Sequence, residues 1–167
     1  DEYYGFLGLL GANRLCLAKR VPEFRLRACL DKAIKRINQF GAPMARFAWE
    51  TGEYGEELSP PGFWYEHVFH MALTALGAFE FYEHSNDKDF LSECYRMIRA
   101  CAKFYTRFMI YSDLSGRLYV GKCTDLERLG EAVENPFMTS CGVIRTLETL
   151  VKAADILDID KEYRDEC

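Results

Sequence analysis

Apolar residues that recur every three or four positions constrain this chain more than any other feature. The clearest run contains Phe90, Cys94, Met97, Cys101 and Phe104. That period places the side chains on one face of an α-helix, whereas a strand would alternate at every second residue. Similar stripes lie within residues 3–18, 26–37, 63–82 and 137–154. The pattern predicts an all-α protein of five or six helices.

The connections between these helices alternate in length. Short ones lie at 19–22 and 83–88, and long ones at 41–62 and 110–135, with at most a short strand pair near 117–122. Alternate connections of an antiparallel helical array lie at the same end, so both long segments are expected together. Catalytic groups often lie on such loops because a rigid scaffold positions them.

Composition excludes several classes of function. Hydrophobic residues make up 49% of the chain, the net charge is -5, and no basic block is present, so neither a nucleic-acid nor a membrane partner is expected. The seven cysteines contain no CxxC pair and are typical of reduced core residues, which favours a cytoplasmic protein. We expect one all-α domain over residues 1–167, without a metal or other cofactor.

The segment CTDLERLGEAVENPF, residues 123–137, interrupts the apolar stripes with carboxylates. Asp125, Glu127 and Glu131 lie on this long loop, and Trp49 and Glu50 lie on the other. Glycoside hydrolysis uses two carboxyl groups roughly 5–9.5 Å apart across the scissile bond. The two loops therefore suit glycoside chemistry, although ordinary solvated acidic residues would give the same composition.

His67 and His70 are three positions apart and form a candidate metal pair. No carboxylate motif accompanies them, so a structural role is the simpler interpretation. Two other classes of function stay open. One is a helical-repeat module that binds a protein, and the other is a sugar epimerase or lyase that uses His67 or His70 as its base.

Residues 22–57 resemble the central catalytic region of glycoside hydrolase family 65, which includes maltose, trehalose and kojibiose phosphorylases. The family pattern G-A-R-F-P-W-E-S, followed by G-E-E, is similar to the segments ARFAWET and GEE here. The resemblance implies substrate-binding roles for Arg46, Phe47, Trp49 and Glu50. His67 stands where the family has the first residue of a His-Ile pair, and the same role is implied for it.

A second similarity covers VENPFMTS, residues 133–140, which looks like the V-D-N-N-A-Y-T-N segment that follows the general acid in that family. It implies that Glu127 protonates the glycosidic oxygen, or Asp125 in another register, and that Asn135 binds substrate. The acidic G-P-D-E core is not intact, and Met71 stands near a family acid. These departures favour a related family of six-hairpin toroid glycosidases over family 65 itself.

The implied fold is an (α/α)6 toroid, a ring of about twelve helices. Helices of 15–20 residues, at about 1.5 Å per residue, would account for roughly half of that ring. We therefore expect a fragment of a glycoside hydrolase or phosphorylase, with its second catalytic carboxylate elsewhere. The implied partners are an oligosaccharide or glycoside and, for a phosphorylase, inorganic phosphate. Uncovered apolar faces at 3–18 and 137–157 would favour self-association.

Overall fold

The computed structural model describes residues 1–37, 43–112, 116–125 and 132–167, without the side chains of residues 108, 109, 111 and 112. Its helices are α1 Glu2–Gly11, α2 Leu15–Ala18, α3 Arg20–Phe24, α4 Leu30–Lys35, α5 His70–Ser85, α6 Lys88–Phe104, α7 Phe137–Leu157 and α8 Lys161–Glu166. π-Helical turns at Arg25–Cys29 and Tyr105–Met109 join α3 to α4 and extend α6. Strands β1 Ile110–Ser112 and β2 Leu118–Val120 form an antiparallel hairpin. The predicted all-α class is confirmed.

The core lies where α5, α6 and α7 pack against one another. Helix α5 also contacts α1, α2 and α3, so it is the central helix of the described chain. It buries side chains around most of its circumference because its sequence is apolar or small at nearly every position. Small residues let α5 and α7 approach closely, since a methyl group on Gly142 would lie only 2.9 Å from the Ala72 side chain.

The short connection between α5 and α6 is set by two neighbouring residues. Asn86 adopts a left-handed conformation, φ 55°, and ends α5. The Asp87 carboxylate then accepts a hydrogen bond from the Phe90 amide at 3.0 Å and begins α6. Asp87 is therefore the N-cap of α6.

Two predicted helices have different bounds in the structure. The stripe at 3–18 forms α1 and α2, which are separated at Asn13 by a positive φ of 54°. The predicted helix over 63–82 begins only at His70. His67 instead pairs with Thr124 in a parallel β-bridge, which requires extended backbone at that residue. The bridge also brings the two long connections together, as their alternation predicted.

Apolar side chains remain exposed on two of the faces that the stripes predicted. Phe137 and Ile144 on α7 are 77% and 58% exposed, and Tyr4 on α1 is 71% exposed.

Among the described residues, no helix combines the length and the apolar character needed to cross a bilayer.

The buried hydroxyl of Tyr105 ties the beginning of α5 to the end of α6. It donates to the Val68 carbonyl at 2.7 Å and accepts from the Ala72 amide at 3.2 Å. Tyr105 is 0% exposed, and burial raises its pKa well above the ordinary value. The hydroxyl therefore fixes the backbone just after His67.

We expect Tyr105→Phe to lower the free energy of unfolding by about 1–2 kcal/mol, because the Val68 carbonyl and the Ala72 amide each lose one buried hydrogen-bond partner. Urea denaturation measures the difference. Tyr4→Phe is the matched control, since it removes the same atom from an exposed ring and should change stability by less than about 0.5 kcal/mol. Equal effects of the two substitutions would contradict the assigned role of Tyr105.

Candidate active site

The site is built around the indole of Trp49. Its ring stacks on the His67 imidazole, with centroids 4.4 Å apart and planes 12° from parallel. Phe69 and His70 meet it edge-on at 5.2 and 5.3 Å. Trp64 also lies nearly parallel to His67, at 5.8 Å. These contacts hold Trp49 in one orientation while the residue stays partly exposed.

The loop that carries Trp49 is closed by its own carboxylate. Glu57 accepts hydrogen bonds from the backbone amides of Trp49 at 3.3 Å and Ser59 at 3.2 Å. Gly55, at φ 80°, lets the loop lie against the π-helical turn, because a Cβ there would be 2.6 Å from the Ala28 carbonyl oxygen. The G-E-E segment is therefore a structural part of the loop.

Arg46 and Phe47 support this loop from behind. The Arg46 guanidinium lies 3.9 Å from the centroid of the Tyr65 ring and donates to the Tyr65 carbonyl. Burial lowers the pKa of Arg46. Phe47 is 1% exposed and belongs to the core. Neither Arg46 nor Phe47 lines the cleft that is described below.

The tautomers of the two histidines follow from their carbonyl partners. His67 Nδ1 is 3.1 Å from the Trp64 oxygen, and His70 Nε2 is 3.1 Å from the Phe47 oxygen. A carbonyl only accepts, so these nitrogens carry the hydrogens. The other ring nitrogens, His67 Nε2 and His70 Nδ1, are enclosed and have no protein partner among the described residues.

His70 is a neutral imidazole near neutral pH. Although part of the residue contacts solvent, burial of the ring is the main cause that lowers its pKa to about 3. Among the described residues, no group of three or more histidine, cysteine, aspartate or glutamate side chains is arranged so that it could hold a metal ion.

Asp125 caps α7 from the other long connection. Its carboxylate accepts from the Met138 and Thr139 amides, both at 3.0 Å, and from the Thr139 hydroxyl at 2.9 Å. These amides belong to the first turn of α7, where a negative charge is favoured by the helix dipole. Asp125 is 2% exposed and all its described contacts are with α7, which is the geometry of a helix cap.

Asn135 also has a local backbone role. Its side-chain oxygen accepts from the Val120 amide and the Ser140 hydroxyl, each at 3.3 Å. Its φ of 50° turns the chain into α7, and its amide donates to the Val120 carbonyl at 2.9 Å. The residue is exposed but does not line the cleft. Glu127, the predicted acid, lies outside the described residues together with Arg128 and Glu131.

A cleft of about 730 Å³ opens beside Trp49. Glu50 and His70 line it with Trp49, and Arg25 and the first turn of α1 also belong to its lining. The Glu50 carboxylate is exposed and has no described side-chain partner. The predicted residues Trp49, Glu50 and His67 therefore lie together, with His67 behind the indole. Sequence reasoning missed Arg25 and α1, because nothing in the stripes indicates that they face Trp49.

Comparison with known proteins places this chain among glycoside hydrolases. A family model for the glycosyl hydrolase family 95 catalytic domain matches residues 48–167. The chain is 27% identical over 148 residues to a kojibiose hydrolase of Flavobacterium johnsoniae, covering 86% of this chain and 21% of that protein. It is 23% identical over 140 residues to a protein-glucosylgalactosylhydroxylysine glucosidase of Gallus gallus, covering 82% of this chain and 20% of that protein.

These matches support the predicted glycosidase superfamily at a coarse level, whereas family 65 itself is not confirmed. The chain spans about a fifth of the length of the curated relatives it matches. The matched region includes Trp49, Glu50, His67 and Asp125.

Replacing Asp125 with Ala should destabilise the protein by about 1–2 kcal/mol, because two amides and a hydroxyl at the start of α7 lose their acceptor. Thermal or urea denaturation measures this. Glu134→Gln is the control, since it removes an exposed charge near the same helix end and should have less than about half that effect. If both variants were equally stable, the Asp125 cap would make no contribution to the stability of the folded protein.

Stability should fall as the pH is lowered, because His70 takes up a proton more readily when unfolded. Its pKa is about 3 in the folded protein and 6.5 in its unperturbed state. The stabilisation is therefore complete above pH 6.5 and declines toward pH 3, by about 2–3 kcal/mol between pH 7 and pH 4.

Urea midpoints across this range test the His70 assignment. His70→Gln keeps a side-chain donor for the Phe47 carbonyl and should flatten the decline. His84→Gln, at an exposed histidine, should leave the decline unchanged. If the stability of His70→Gln declined with pH as steeply as that of the wild-type protein, the decline would be caused by other groups.

Proposed function

This chain belongs to the glycosyl hydrolase family 95 catalytic-domain family, and on that premise we propose that its protein hydrolyses glycosidic bonds in oligosaccharides. One observation carries the proposal. The exposed Glu50 carboxylate and the fixed, half-buried Trp49 ring lie side by side in a cleft. An apolar ring face and an adjacent acceptor suit a sugar, which has a C–H face and a rim of hydroxyl groups.

The names of the relatives support a glucosyl group as the sugar at Trp49. One relative is a kojibiose hydrolase and the other a glucosidase of a glucosylgalactosyl group. In both names, glucose is joined to another sugar. Both names also describe hydrolysis, so we propose water, and not inorganic phosphate, as the acceptor.

Trp49 and Glu50 are proposed to bind this sugar, and His67 to orient the indole from behind. The neutral His70 is proposed to keep the wall of the cleft uncharged. Arg46 and Phe47 act on the sugar only through the loop that they support. Asn135 positions the chain at the start of α7.

Glu127 remains the proposed general acid. Asp125 is the other candidate, but each of its two oxygens already accepts from the first turn of α7. Because Asp125 is also only 2% exposed, its carboxylate is held against α7 and is not free to approach a glycosidic oxygen. Glu127 lies two residues after the anchored Asp125 in the sequence. The second catalytic carboxylate is proposed to lie outside residues 1–167.

We propose that residues 1–167 form one all-α unit of a larger helical toroid. The exposed residues of α7, and those of α1 that do not line the cleft, would then contact neighbouring helices in the larger protein, and the isolated chain would self-associate through them.

In the full-length protein, Glu127→Gln should lower kcat on kojibiose by at least about 1,000-fold, because the leaving oxygen is no longer protonated. An activated aryl glucoside should lose much less, since its leaving group needs little protonation. Release of glucose measures both rates, and adding phosphate should not change the product.

Asp125→Asn is the matched control, and after correction for folded protein it should keep most of the activity. Trp49→Ala should raise KM for both substrates. Loss of activity in Asp125→Asn with full activity in Glu127→Gln would move the acid to Asp125. Production of glucose 1-phosphate would replace hydrolysis by phosphorolysis.

A further inference from the structure

The cleft continues beyond Trp49 to the first turn of α1. There it is lined by Glu2, Tyr3 and Tyr4. None of these residues belongs to the site that the sequence predicted.

The Glu2 carboxylate is held in a fixed position. Arg25 donates to it through Nε at 2.9 Å and Nη2 at 2.8 Å. The third nitrogen of Arg25, Nη1, donates to the Thr51 hydroxyl at 2.7 Å, so one guanidinium links α1 to the loop of Trp49. The Arg25 side chain is 12% exposed, whereas that of Glu2 is 44% exposed. Glu2 therefore keeps lone pairs available to solvent.

An aromatic ring accompanies this carboxylate. Tyr4 is 71% exposed and contacts the Tyr3 ring edge-on at 6.0 Å. Tyr3 is in turn fixed by a hydrogen bond from its hydroxyl to Glu80 at 2.6 Å. Tyr4 thus presents an open ring face from a supported position. An aromatic ring beside an accessible carboxylate therefore occurs twice in the lining of the cleft, as Trp49 with Glu50 and as Tyr4 with Glu2.

The volume of the cleft is too large for one sugar. Twelve water molecules at about 30 Å³ each fill roughly 360 Å³, and the twelve covalently joined non-hydrogen atoms of a hexose need less than that. The cleft measures about 730 Å³, so it has room for at least two linked sugars.

We propose that Tyr4 and Glu2 form a second sugar-binding site, which receives the neighbouring sugar of an oligosaccharide whose glucosyl end lies on Trp49. Tyr4 contacts the apolar face of this second sugar, and Glu2 accepts hydrogen bonds from its hydroxyl groups. Arg25 is a positioning residue that fixes α1 relative to the loop of Trp49. The inference rests on the proposed function for the sugar at Trp49.

The test is calorimetric binding to the full-length protein, so that it does not depend on turnover. The probes are D-glucose and kojibiose with sulfur in place of the glycosidic oxygen, which resists hydrolysis. The wild-type protein should bind the thio-disaccharide at least about tenfold more tightly than glucose, equivalent to about 1.4 kcal/mol.

Three variants isolate the Tyr4 ring. Tyr4→Ala should lower the affinity for the thio-disaccharide about tenfold and should change the affinity for glucose by less than about twofold. Tyr4→Phe keeps the ring and should restore the affinity. Tyr54→Ala is the control, since Tyr54 is 66% exposed but does not line the cleft, and it should change neither affinity.

The outcomes separate the two proposals. If the thio-disaccharide binds no more tightly than glucose, or if Tyr4→Ala weakens both probes equally or neither, the second site is overturned and the first remains. If neither probe binds the wild-type protein, the assignment of a glucosyl sugar to Trp49 fails and the second site falls with it.

Discussion

The buried Tyr105 hydroxyl is the contact on which the candidate site most depends. It joins the π-helical turn after α6 to the Val68 carbonyl and the Ala72 amide at the start of α5. His67 and His70 flank that point, and both meet the Trp49 ring. A single ordered hydroxyl therefore sets the surface on which the indole packs. Losing these two hydrogen bonds in the core would cost free energy, so the geometry is strongly specified.

The second long connection is fixed by charge. Asp125 satisfies backbone amides at the start of α7, and the neighbouring Thr124 pairs with His67 in the β-bridge. The N-terminus of one core helix and the backbone before another thus meet through two adjacent residues. In the carboxylate-rich segment, Asp125 therefore has a structural role, and only the other carboxylates are available for chemistry.

The cleft combines neutral aromatic surface with a few ordered charges. His70 stays neutral because its ring is buried, and Arg25 is balanced by Glu2. A wall of this kind suits a neutral ligand that has apolar faces and many hydroxyl groups, and membership in a glycoside hydrolase family agrees with that chemistry. The proposed roles of Glu50, Glu127 and Tyr4 all depend on such a ligand.

The sequence by itself determined the helical class, the meeting of the long connections, and the Trp49–Glu50–His67 group. Helical period and loop length are local properties, and the family resemblance supplied the group. Only the tertiary structure decided that residues 63–69 are not helical, that Asp125 is a cap, and that Arg25 joins α1 to the Trp49 loop. Each of these depends on a partner more than ten residues away in the chain, because bridges, caps and ion pairs are chosen by packing, which local periodicity does not encode.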